Sequence, residues 1–128
     1  MCPLNASVEM LGDRWSLLIL RDMMLRGARA YNDLLQCPER IATNILADRL
    51  KKLVRDGIIT TRRDPADRRK FVYLLTTKGI DLAPVLAELV LWAARHEKTS
   101  QRQLIEDLQR DKARVIAEVR RRWAGASG

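Results

Sequence analysis

Basic side chains that could bind phosphate groups are concentrated in residues 58–79, which read IITTRRDPADRRKFVYLLTTKG. This stretch holds six basic and two acidic residues, so 22 residues carry half of the net charge of +8. The cations around its one tight turn are Arg62, Arg63, Arg68, Arg69 and Lys70. A positive charge of this size, with a pI near 10.2, favours a polyanionic partner such as nucleic acid or an acidic membrane.

Side chains for catalysis or metal binding are scarce. His96 is the only histidine, and its charged neighbours are typical of an exposed structural residue. The two cysteines, Cys2 and Cys37, fit neither a zinc cluster nor a disulfide framework. The sequence has no glycine-rich phosphate loop and no GxSxG nucleophile elbow. It therefore predicts a protein that is not an enzyme and needs no metal or cofactor.

The length of the chain, 128 residues, suits one ordinary domain, so we expect a single domain over residues 1–128. Glu9, Asp13 and Arg14 interrupt any apolar leader near the start. The longest apolar stretch, residues 82–94, is too short to span a bilayer. We therefore expect a cytoplasmic protein that does not enter a membrane.

Apolar spacing in the first quarter of the chain predicts two helices. Asn5 or Ser7 can cap a short first helix, which Gly12 breaks. Asp13 is the expected N-cap of a second helix through Arg26, whose residues are apolar nearly all round. A helix of that kind must lie in the centre of the fold.

A helix-turn-helix pair is predicted over about residues 30–57. A short helix from about Ala30 to Gln36 is stopped by a Cys-Pro pair, and a third helix runs from Thr43 to Asp56. The residues on the side of this helix away from its apolar stripe are Thr43, Asn44, Ala47, Asp48, Lys51, Lys52 and Arg55. In such a pair the second helix enters the major groove, where residues at its start approach base edges and later cations meet phosphates. The alternative is an ordinary solvated helix face.

The basic stretch is predicted to form a wing, which is a β-hairpin over about residues 58–75. Two threonines before the turn and aromatic and branched residues after it suit strands, and Asp64-Pro65 is favourable turn chemistry. Such a hairpin directly after a recognition helix lies along the DNA backbone or reaches into the minor groove, so Arg68 and Arg69 would contact phosphates or a groove. The alternative is a solvated edge hairpin that its charges protect from pairing with other strands.

Several separate motifs in residues 2–95 resemble the HxlR-type winged-helix transcriptional regulators of bacteria. The stretch CPLNASVEMLGDRWSLLILRDMMLRGARAYNDLL is similar to the family's opening Cys-Pro, its Gly-x-[Lys/Arg]-Trp helix start and its Arg-x-[Phe/Tyr]-Asn-[Glu/Asp]-Leu segment. LADRLKKLVRDGII and YLLTTKG look like its recognition helix and its step from the wing to a dimer helix. The resemblance implies a mainly α-helical winged helix-turn-helix domain with a small β-hairpin wing and C-terminal dimerisation helices.

The resemblance also implies a function. A protein of this kind is expected to bind a roughly palindromic operator in double-stranded DNA as a homodimer, often as a repressor beside the gene that it controls. Arg29 opens the Arg-x-[Phe/Tyr]-Asn segment here and joins the residues predicted to bind DNA. The full predicted set is Arg29, Thr43, Asn44, Asp48, Lys51, Lys52, Arg62, Arg68, Arg69 and Lys70.

Two features depart from the family pattern. The wing sequence DPADRRK looks more like the Asp-x-x-Asp-Arg-Arg wing of the related MarR regulators. Ala42 stands where the family commonly has a serine that caps the recognition helix, so either Thr43 caps it or the helix starts one residue later. A MarR-type ligand-responsive regulator is the alternative, although the segment before Trp15 is too short for that family's long first dimerisation helix.

Two C-terminal helices are predicted over about residues 77–97 and 100–123. Thr76 can cap the first, and Pro84 should kink it or mark an early break. Ser100 starts a Ser-x-x-Gln capping box for the second. Both helices carry more apolar surface than a small core requires, so the last one folds back on its own domain or packs against another subunit, and we expect a homodimer. The final AGASG is predicted to be disordered.

Cys2 is the candidate sensor, because the resemblance places it where several HxlR-type proteins carry a cysteine that responds to oxidants or electrophiles. A reactive thiol must be exposed and partly ionised, and Arg14 or a helix N-terminus could lower the pKa of this one. The alternative is an inert cysteine packed at a dimer interface. Cys37 is interpreted as a small core residue between two helices.

Two other classes of protein stay open. A winged-helix module that binds other proteins would keep the fold without specific DNA binding. A membrane-surface protein could use the basic residues 120–122 of the last helix. Asp107, Asp111 and Glu118 on the same helix favour a solvated face of mixed charge instead.

Overall fold

The computed structural model describes residues 1–125, which form seven α-helices and one two-stranded antiparallel sheet. The helices are α1 (Pro3–Leu11), α2 (Arg14–Arg26), α3 (Tyr31–Leu35), α4 (Thr43–Arg55), α5 (Thr77–Ile80), α6 (Ala83–His96) and α7 (Arg102–Trp123), and the strands are β1 (Ile59–Arg63) and β2 (Phe71–Leu75). The predicted class, mainly helical with one hairpin, is confirmed. None of the helices within residues 1–125 is long and apolar enough to cross a membrane. The end of the tail predicted to be disordered, residues 126–128, lies outside the described residues.

Helix α2 lies in the middle of the core. Leu20 and Met23 are fully buried, as expected for a helix that is apolar nearly all round. Asp13 is its N-cap, since its Oδ1 accepts hydrogen bonds from the backbone N–H groups of residues 15 and 16 at 3.0 Å. Gly27 ends the helix with a φ of 67°, a left-handed conformation that glycine adopts without strain. Both predicted ends are therefore confirmed.

Helix α1 begins earlier than predicted. Cys2, rather than Asn5 or Ser7, occupies the N-cap position, and Pro3 is the first helical residue. Proline suits this position because its φ angle is preset and the helix does not need its missing N–H there. The Ser7 hydroxyl instead donates to Pro3 O at 2.9 Å, inside the helix.

Helices α3 and α4 form the predicted helix-turn-helix pair beside α2. The Tyr31 hydroxyl of α3 donates to Thr43 O at 3.0 Å, which joins the starts of the two helices. Helix α4 starts at Thr43, and its N-cap residue, Ala42, provides no side-chain hydrogen bond. Both alternatives predicted for this cap are therefore wrong, and the first turn of α4 has no side-chain cap among the described residues.

The wing is the antiparallel pair β1 and β2. Its register pairs Ile59 with Leu75 at the base and Arg63 with Phe71 near the tip. Ile59 and Leu75 are buried in the core, whereas Arg63 and Phe71 are exposed. The hairpin predicted over about residues 58–75 is therefore present, with a base fixed in the core and a tip that projects from it.

The first predicted C-terminal helix is two helices. Helix α5 ends at Ile80, and α6 starts at Ala83 with Pro84 as its second residue. Thr76 caps α5, because its Oγ1 accepts a hydrogen bond from Gly79 N at 3.2 Å. The early break expected at the proline is confirmed.

Helix α7 turns back along α6 and then towards the core. The capping box predicted from Ser100 is wrong, because Gln101 is the N-cap, has a left-handed φ of 64° and makes no side-chain cap hydrogen bond. Asp111 has a non-helical backbone (φ −156°, ψ 82°) and divides α7 into two parts. Beyond this break, Val119 and Trp123 are buried. Of the two predicted arrangements, the structure therefore has the last helix folded back on the core of its own chain.

Candidate nucleic-acid interface

One side of α4 is exposed and polar, as predicted. Its opposite side packs into the core through Leu46, Leu50 and Leu53, which are at most 2% exposed. The exposed residues of α4 that the sequence places away from this stripe are Thr43, Asn44, Ala47, Asp48, Lys51 and Arg55. An asparagine amide can bind an adenine edge through two hydrogen bonds, and a lysine can bind a phosphate. This side of α4 therefore has the chemistry both to read bases and to bind the DNA backbone.

Lys52 is turned away from this exposed side, although it is one of the predicted DNA contacts. Its Nζ lies 3.6 Å from Asp13 Oδ2, and its side chain is 24% exposed. Arg49, which is not among the predicted contacts, donates from Nε to Asp13 Oδ1 at 3.0 Å and from Nη1 to Asp48 Oδ2 at 2.6 Å. These contacts tie α4 to the N-terminus of α2 and so hold the orientation of α4. No local pattern could have joined Arg49 to Asp13, because 36 positions separate them.

The Asp13 carboxylate contributes to stability through its ionised form. Burial tends to raise its pKa, but hydrogen bonds from Ser16 and Arg49 outweigh burial and lower the pKa from 3.8 to about 2. A carboxyl whose pKa is lower in the folded state stabilises the fold above its unfolded pKa and loses that contribution as the pH falls through the folded pKa. The contribution is therefore complete above about pH 5 and is lost towards about pH 2.

Replacing Asp13 with alanine should lower the free energy of unfolding by about 2 kcal/mol at pH 7, because α2 loses its cap and Arg49 loses a partner. Chemical denaturation should show a difference about half as large at pH 3. Asp48→Ala is the matched control, since Asp48 also pairs with Arg49 but caps no helix, and it should change stability by less than about 0.5 kcal/mol. A loss that is the same at both pH values would contradict this role of the carboxylate.

The wing tip exposes its five cations and is shaped by two aspartates. Arg69 pairs with Asp67, with Nε 3.1 Å from Oδ1 and Nη2 3.2 Å from Oδ2, and this hydrogen bond lowers the pKa of Asp67. Arg63 Nη1 donates to Arg68 O at 2.6 Å. Asp64 Oδ1 accepts from the backbone N–H two residues on, at 2.9 Å, and so holds the turn. The loop is thus held by its own side chains, while the Arg68 side chain points into solvent.

Arg29 lies beside the wing. Its carbonyl oxygen accepts a hydrogen bond from Tyr73 N of β2 at 2.7 Å, and the next residue, Ala30, forms an antiparallel bridge with Val72. The Arg29 guanidinium lies over the ring of Trp123, 4.3 Å from the ring centroid. The structure therefore brings Arg29 to the edge of the wing and into contact with the last helix, which the sequence analysis did not connect with it.

The two thiols have different surroundings. Cys37 is buried and donates to Glu39 Oε1 at 3.0 Å, and burial together with this carboxylate raises its pKa. Cys37 is therefore a core residue, as predicted. Cys2 is exposed at the start of α1, where the backbone N–H groups of Asn5 and Leu4 lower the pKa of its thiol. An exposed thiol at a helix N-terminus, the arrangement that the sensor interpretation requires, is present.

This chain is similar in sequence and in fold to known proteins. The model of the HxlR-like helix-turn-helix family matches residues 10–101. The HTH-type transcriptional regulator YodB of Bacillus subtilis (strain 168) is 32% identical over 94 residues, which are 73% of this chain and 83% of YodB. The solved reduced form of YodB is 31% identical and superposes with a TM-score of 0.63 over 75% of this chain and 94% of that one. The solved structure of PA1607 is 30% identical, with a TM-score of 0.70 over 78% of this chain and 68% of that one.

The matched region contains the helix-turn-helix pair, the wing and α6, so the winged-helix architecture predicted from the resemblance is confirmed. The family and the relatives are regulators of transcription, which confirms that this protein is not an enzyme. All of α7 lies beyond the residues that the family model matches. The chain belongs to the HxlR-like helix-turn-helix family and is a transcriptional regulator of the helix-turn-helix type.

Proposed function

We propose that this regulator binds a palindromic operator in double-stranded DNA as a homodimer and represses the adjacent gene. The observation that carries the proposal is the presence of two exposed surfaces on consecutive elements. One is the polar side of α4, and the other is the cationic tip of the hairpin that follows it. Neither surface is needed for the core, which is formed by the opposite side of α4 and the base of the hairpin.

In the proposed complex α4 lies in the major groove. Thr43 and Asn44 in its first turn approach base edges, and Asp48, whose side chain is 69% exposed, can accept a hydrogen bond from a cytosine amino group. Lys51 meets a phosphate, and Lys52 adds positive charge from its position beside Asp13. Sequence is therefore read mainly by the first half of the helix.

The wing binds the backbone or the minor groove next to the site of α4. The side chains assigned to this contact are Arg62, Arg68, Arg69 and Lys70. Arg68 is free to reach a phosphate, whereas Arg69 is oriented by Asp67 and can exchange one of its hydrogen bonds for a phosphate. Arg29 at the edge of the wing completes the proposed set.

The operator can be identified by incubating the protein with fragmented genomic DNA and sequencing the fragments that it retains. The expected result is an inverted repeat whose half-sites lie about one helical turn, ~34 Å, apart or a multiple of that distance. Retention of fragments that share no sequence would contradict specific operator binding. It would favour the alternative of a winged-helix module without sequence preference.

The repressor part of the proposal is supported by the family resemblance. A dimer bound over a promoter blocks access of RNA polymerase, so transcription of the gene beside the recovered operator should rise when the regulator is removed. A fall in that transcription would identify an activator instead.

The homodimer is supported by apolar surface that the single chain leaves uncovered. Helix α1 buries none of its residues, and Leu4 and Val8 are 72% and 54% exposed. On α6, Leu89 and Trp92 are 47% and 58% exposed. Exposed apolar side chains at helical spacing on two helices are typical of a subunit interface. We therefore place α1 and α6 in the dimer contact.

Replacing both Leu89 and Trp92 with glutamate should convert the dimer to a folded monomer, because both side chains are exposed in the single chain but buried in the proposed contact. Sedimentation equilibrium gives the mass, and circular dichroism shows whether the helices remain. Gln109→Glu, on the exposed side of α7, is the control and should stay dimeric. A double variant that sediments as a dimer would remove α6 from the interface.

Cys2 is proposed to couple oxidants or electrophiles to DNA binding. Its thiol is exposed, has a lowered pKa and stands at the start of α1, within the proposed dimer contact. Modification there would change how the two subunits meet and so change the spacing of the two α4 helices. Solved structures of YodB include a reduced and a diamide-treated form, which supports the use of diamide as the test reagent.

Diamide should weaken operator binding of the wild type by at least about tenfold and leave Cys2→Ser unaffected. Two thiols lose two hydrogens when they form a disulfide, and diamide takes these up as it becomes the hydrazine. Cys37→Ser is the control for the buried thiol and should respond like wild type if the two Cys2 residues of a dimer pair with each other. Equal losses in wild type and Cys2→Ser, or none in either, would make Cys2 a packing residue.

A further inference from the structure

The end of α7 is joined to the edge of the wing by contacts that the family match does not include. Residues 102–123 follow the matched region, and Trp123, the last residue of α7, is fully buried. The Arg29 guanidinium lies over its ring, and Arg29 Nη2 donates to Arg122 O at 3.4 Å. An arginine that belongs to the winged-helix part is thus held by the last two residues of the extra helix.

We propose that the C-terminal end of α7 is part of the DNA-binding surface: Trp123 positions Arg29, and Arg122 lies beside it, so that both guanidinium groups meet DNA phosphates next to those bound by the wing. The proposal rests on the proposed function, because it adds a contact to the same DNA complex. It assigns Trp123 a positioning role in addition to its role in the core.

The stacking of Arg29 on Trp123 leaves the N–H groups of the Arg29 guanidinium available to a ligand. A guanidinium that stacks on an aromatic ring uses its flat face, while its five N–H donors lie in the plane at its edge. The contact with the Arg122 carbonyl occupies one of these donors. The remaining N–H groups of Arg29 can therefore donate to a phosphate oxygen. Because stacking already restricts the Arg29 side chain, less conformational entropy is lost when it binds the phosphate.

The neighbours of Arg29 favour a phosphate as its partner. Arg122 Nη1 donates to Met24 O at 2.7 Å, which holds a second guanidinium on the same flank of α2. Arg26 does not share this role, because its Nη1 lies 3.1 Å from Asp22 Oδ2 and its Nη2 donates to Asp33 O at 3.4 Å. The Asp33 carboxylate accepts hydrogen bonds from the backbone N–H groups of residues 29 and 30. Within the described residues the guanidinium groups of Arg29 and Arg122 make no ion pair, and an anion is the ligand that two such neighbouring cations attract.

The other arginines at the end of α7 do not belong to this surface. Arg120 Nη1 lies 3.1 Å from Asp81 Oδ1, and Arg121 Nη2 lies 2.5 Å from Glu118 Oε2. Both are therefore paired within the chain. The proposal therefore assigns phosphate contacts to Arg29 and Arg122 alone and not to every basic residue near the C-terminus.

A double-mutant cycle tests the positioning role. The variants are Arg29→Ala, Trp123→Leu and both together, and the probe is a 30-base-pair duplex of random sequence at low salt, followed by fluorescence anisotropy. Arg29→Ala should weaken binding by about five- to tenfold and lower the salt slope by about 1 to 2 per dimer. Trp123→Leu should weaken binding about threefold alone and have no further effect once Arg29 is alanine.

Control variants distinguish the role of Trp123 in positioning Arg29 from its role in the stability of the fold. Trp123→Phe keeps an aromatic ring under Arg29 and should bind like wild type. Arg121→Ala removes one cation of the same helix end to which the proposal assigns no phosphate, and it should leave the affinity within about twofold of wild type. Thermal unfolding of each variant shows how much fold is lost. If Trp123→Leu does not fold, Arg122→Ala decides the question, because Arg122 is exposed and belongs to α7; the proposal expects this variant to lose affinity and salt slope, and an unchanged affinity would overturn it.

Several results would overturn the proposal. They are an unchanged affinity and salt slope in Arg29→Ala, tighter binding in that variant, or additive losses from Arg29→Ala and Trp123→Leu. In each case wild type would still bind the duplex with a steep salt dependence, so the proposed function would stand. Wild type that binds no duplex would overturn the proposed function and this inference together.

Discussion

Replacing Arg68 and Arg69 together with alanine is expected to weaken operator binding by roughly 100- to 1000-fold at about 150 mM salt. A dimer loses four arginines, and each charge-assisted contact to a phosphate contributes about 1 kcal/mol under these conditions. The slope of the logarithm of affinity against the logarithm of salt should fall by about 3 to 4, because each lost phosphate contact removes about 0.9. Fluorescence anisotropy over a series of salt concentrations measures both quantities.

The control for this wing variant removes the same charge elsewhere. Arg95, at the end of α6, and Lys98, just beyond that helix, are both exposed and can both be replaced with alanine. This control should lose affinity by no more than about threefold, through the smaller net charge alone. Equal losses in the two double variants would mean that net charge, and not the wing, binds the DNA. An unchanged affinity of the wing variant would remove Arg68 and Arg69 from the interface.

Removing residues 100–128 is expected to abolish the fold and, with it, the proposed dimer. Four side chains of α7 lie in the protein interior: Ile105, Leu108, Val119 and Trp123. Burying each contributes about 1.5–3 kcal/mol, so the deletion loses about 6–12 kcal/mol, which is comparable to the whole stability of a typical domain. Sedimentation velocity and circular dichroism should therefore show monomer or aggregate with reduced helix content.

The matched control for this deletion stops after Trp123. Removing only the final AGASG leaves every buried residue of α7 in place, so the shortened chain should sediment and unfold like wild type. A stable, well-behaved dimer that lacks residues 100–128 would contradict the role given to α7 in the core.

The elements of the winged helix could be predicted because their signals are local. The sequence predicts helix α2 correctly from an aspartate N-cap and a run of apolar residues, and α4 from an apolar stripe at helical spacing. The errors concern helix starts. Whether Cys2, Ala42 or Gln101 becomes the N-cap depends on the backbone conformation of the connecting segment, which residue preference alone does not determine.

The candidate interface could be predicted only in part. The apolar periodicity of a helix shows which of its side chains are exposed, but it does not show which residues those side chains contact. Asn44 and Lys51 are exposed, as the apolar stripe of α4 implies. Lys52 lies close to that stripe on the helix and reaches Asp13 instead of solvent. The contact of Arg29 with Trp123 joins residues that are 94 positions apart (123 − 29), so no spacing rule could have indicated it.

The packing partner of α7 could not be predicted from the sequence either. Its apolar stripe was predicted, but the stripe fits either a partner subunit or the core of the same chain. The break at Asp111, where the carboxylate accepts a hydrogen bond from Arg114 N at 3.1 Å, turns the second part towards the core. An aspartate within a charged helix gives no sign of such a break, because the same residue is tolerated inside regular helices.

The central claim, that the first turn of α4 reads DNA sequence while the wing binds its backbone, is tested most directly by one titration series. Wild type, Asn44→Ala and the Arg68 and Arg69 double variant are titrated with the recovered operator and with a scrambled duplex of the same length. Wild type should prefer the operator by at least about 1000-fold. Asn44→Ala should lose roughly 10-fold or more of that preference while its affinity for the scrambled duplex is unchanged, and the wing variant should weaken on both duplexes alike. Equal losses of Asn44→Ala on the two duplexes, or a wild type that binds both with the same affinity, would contradict the account.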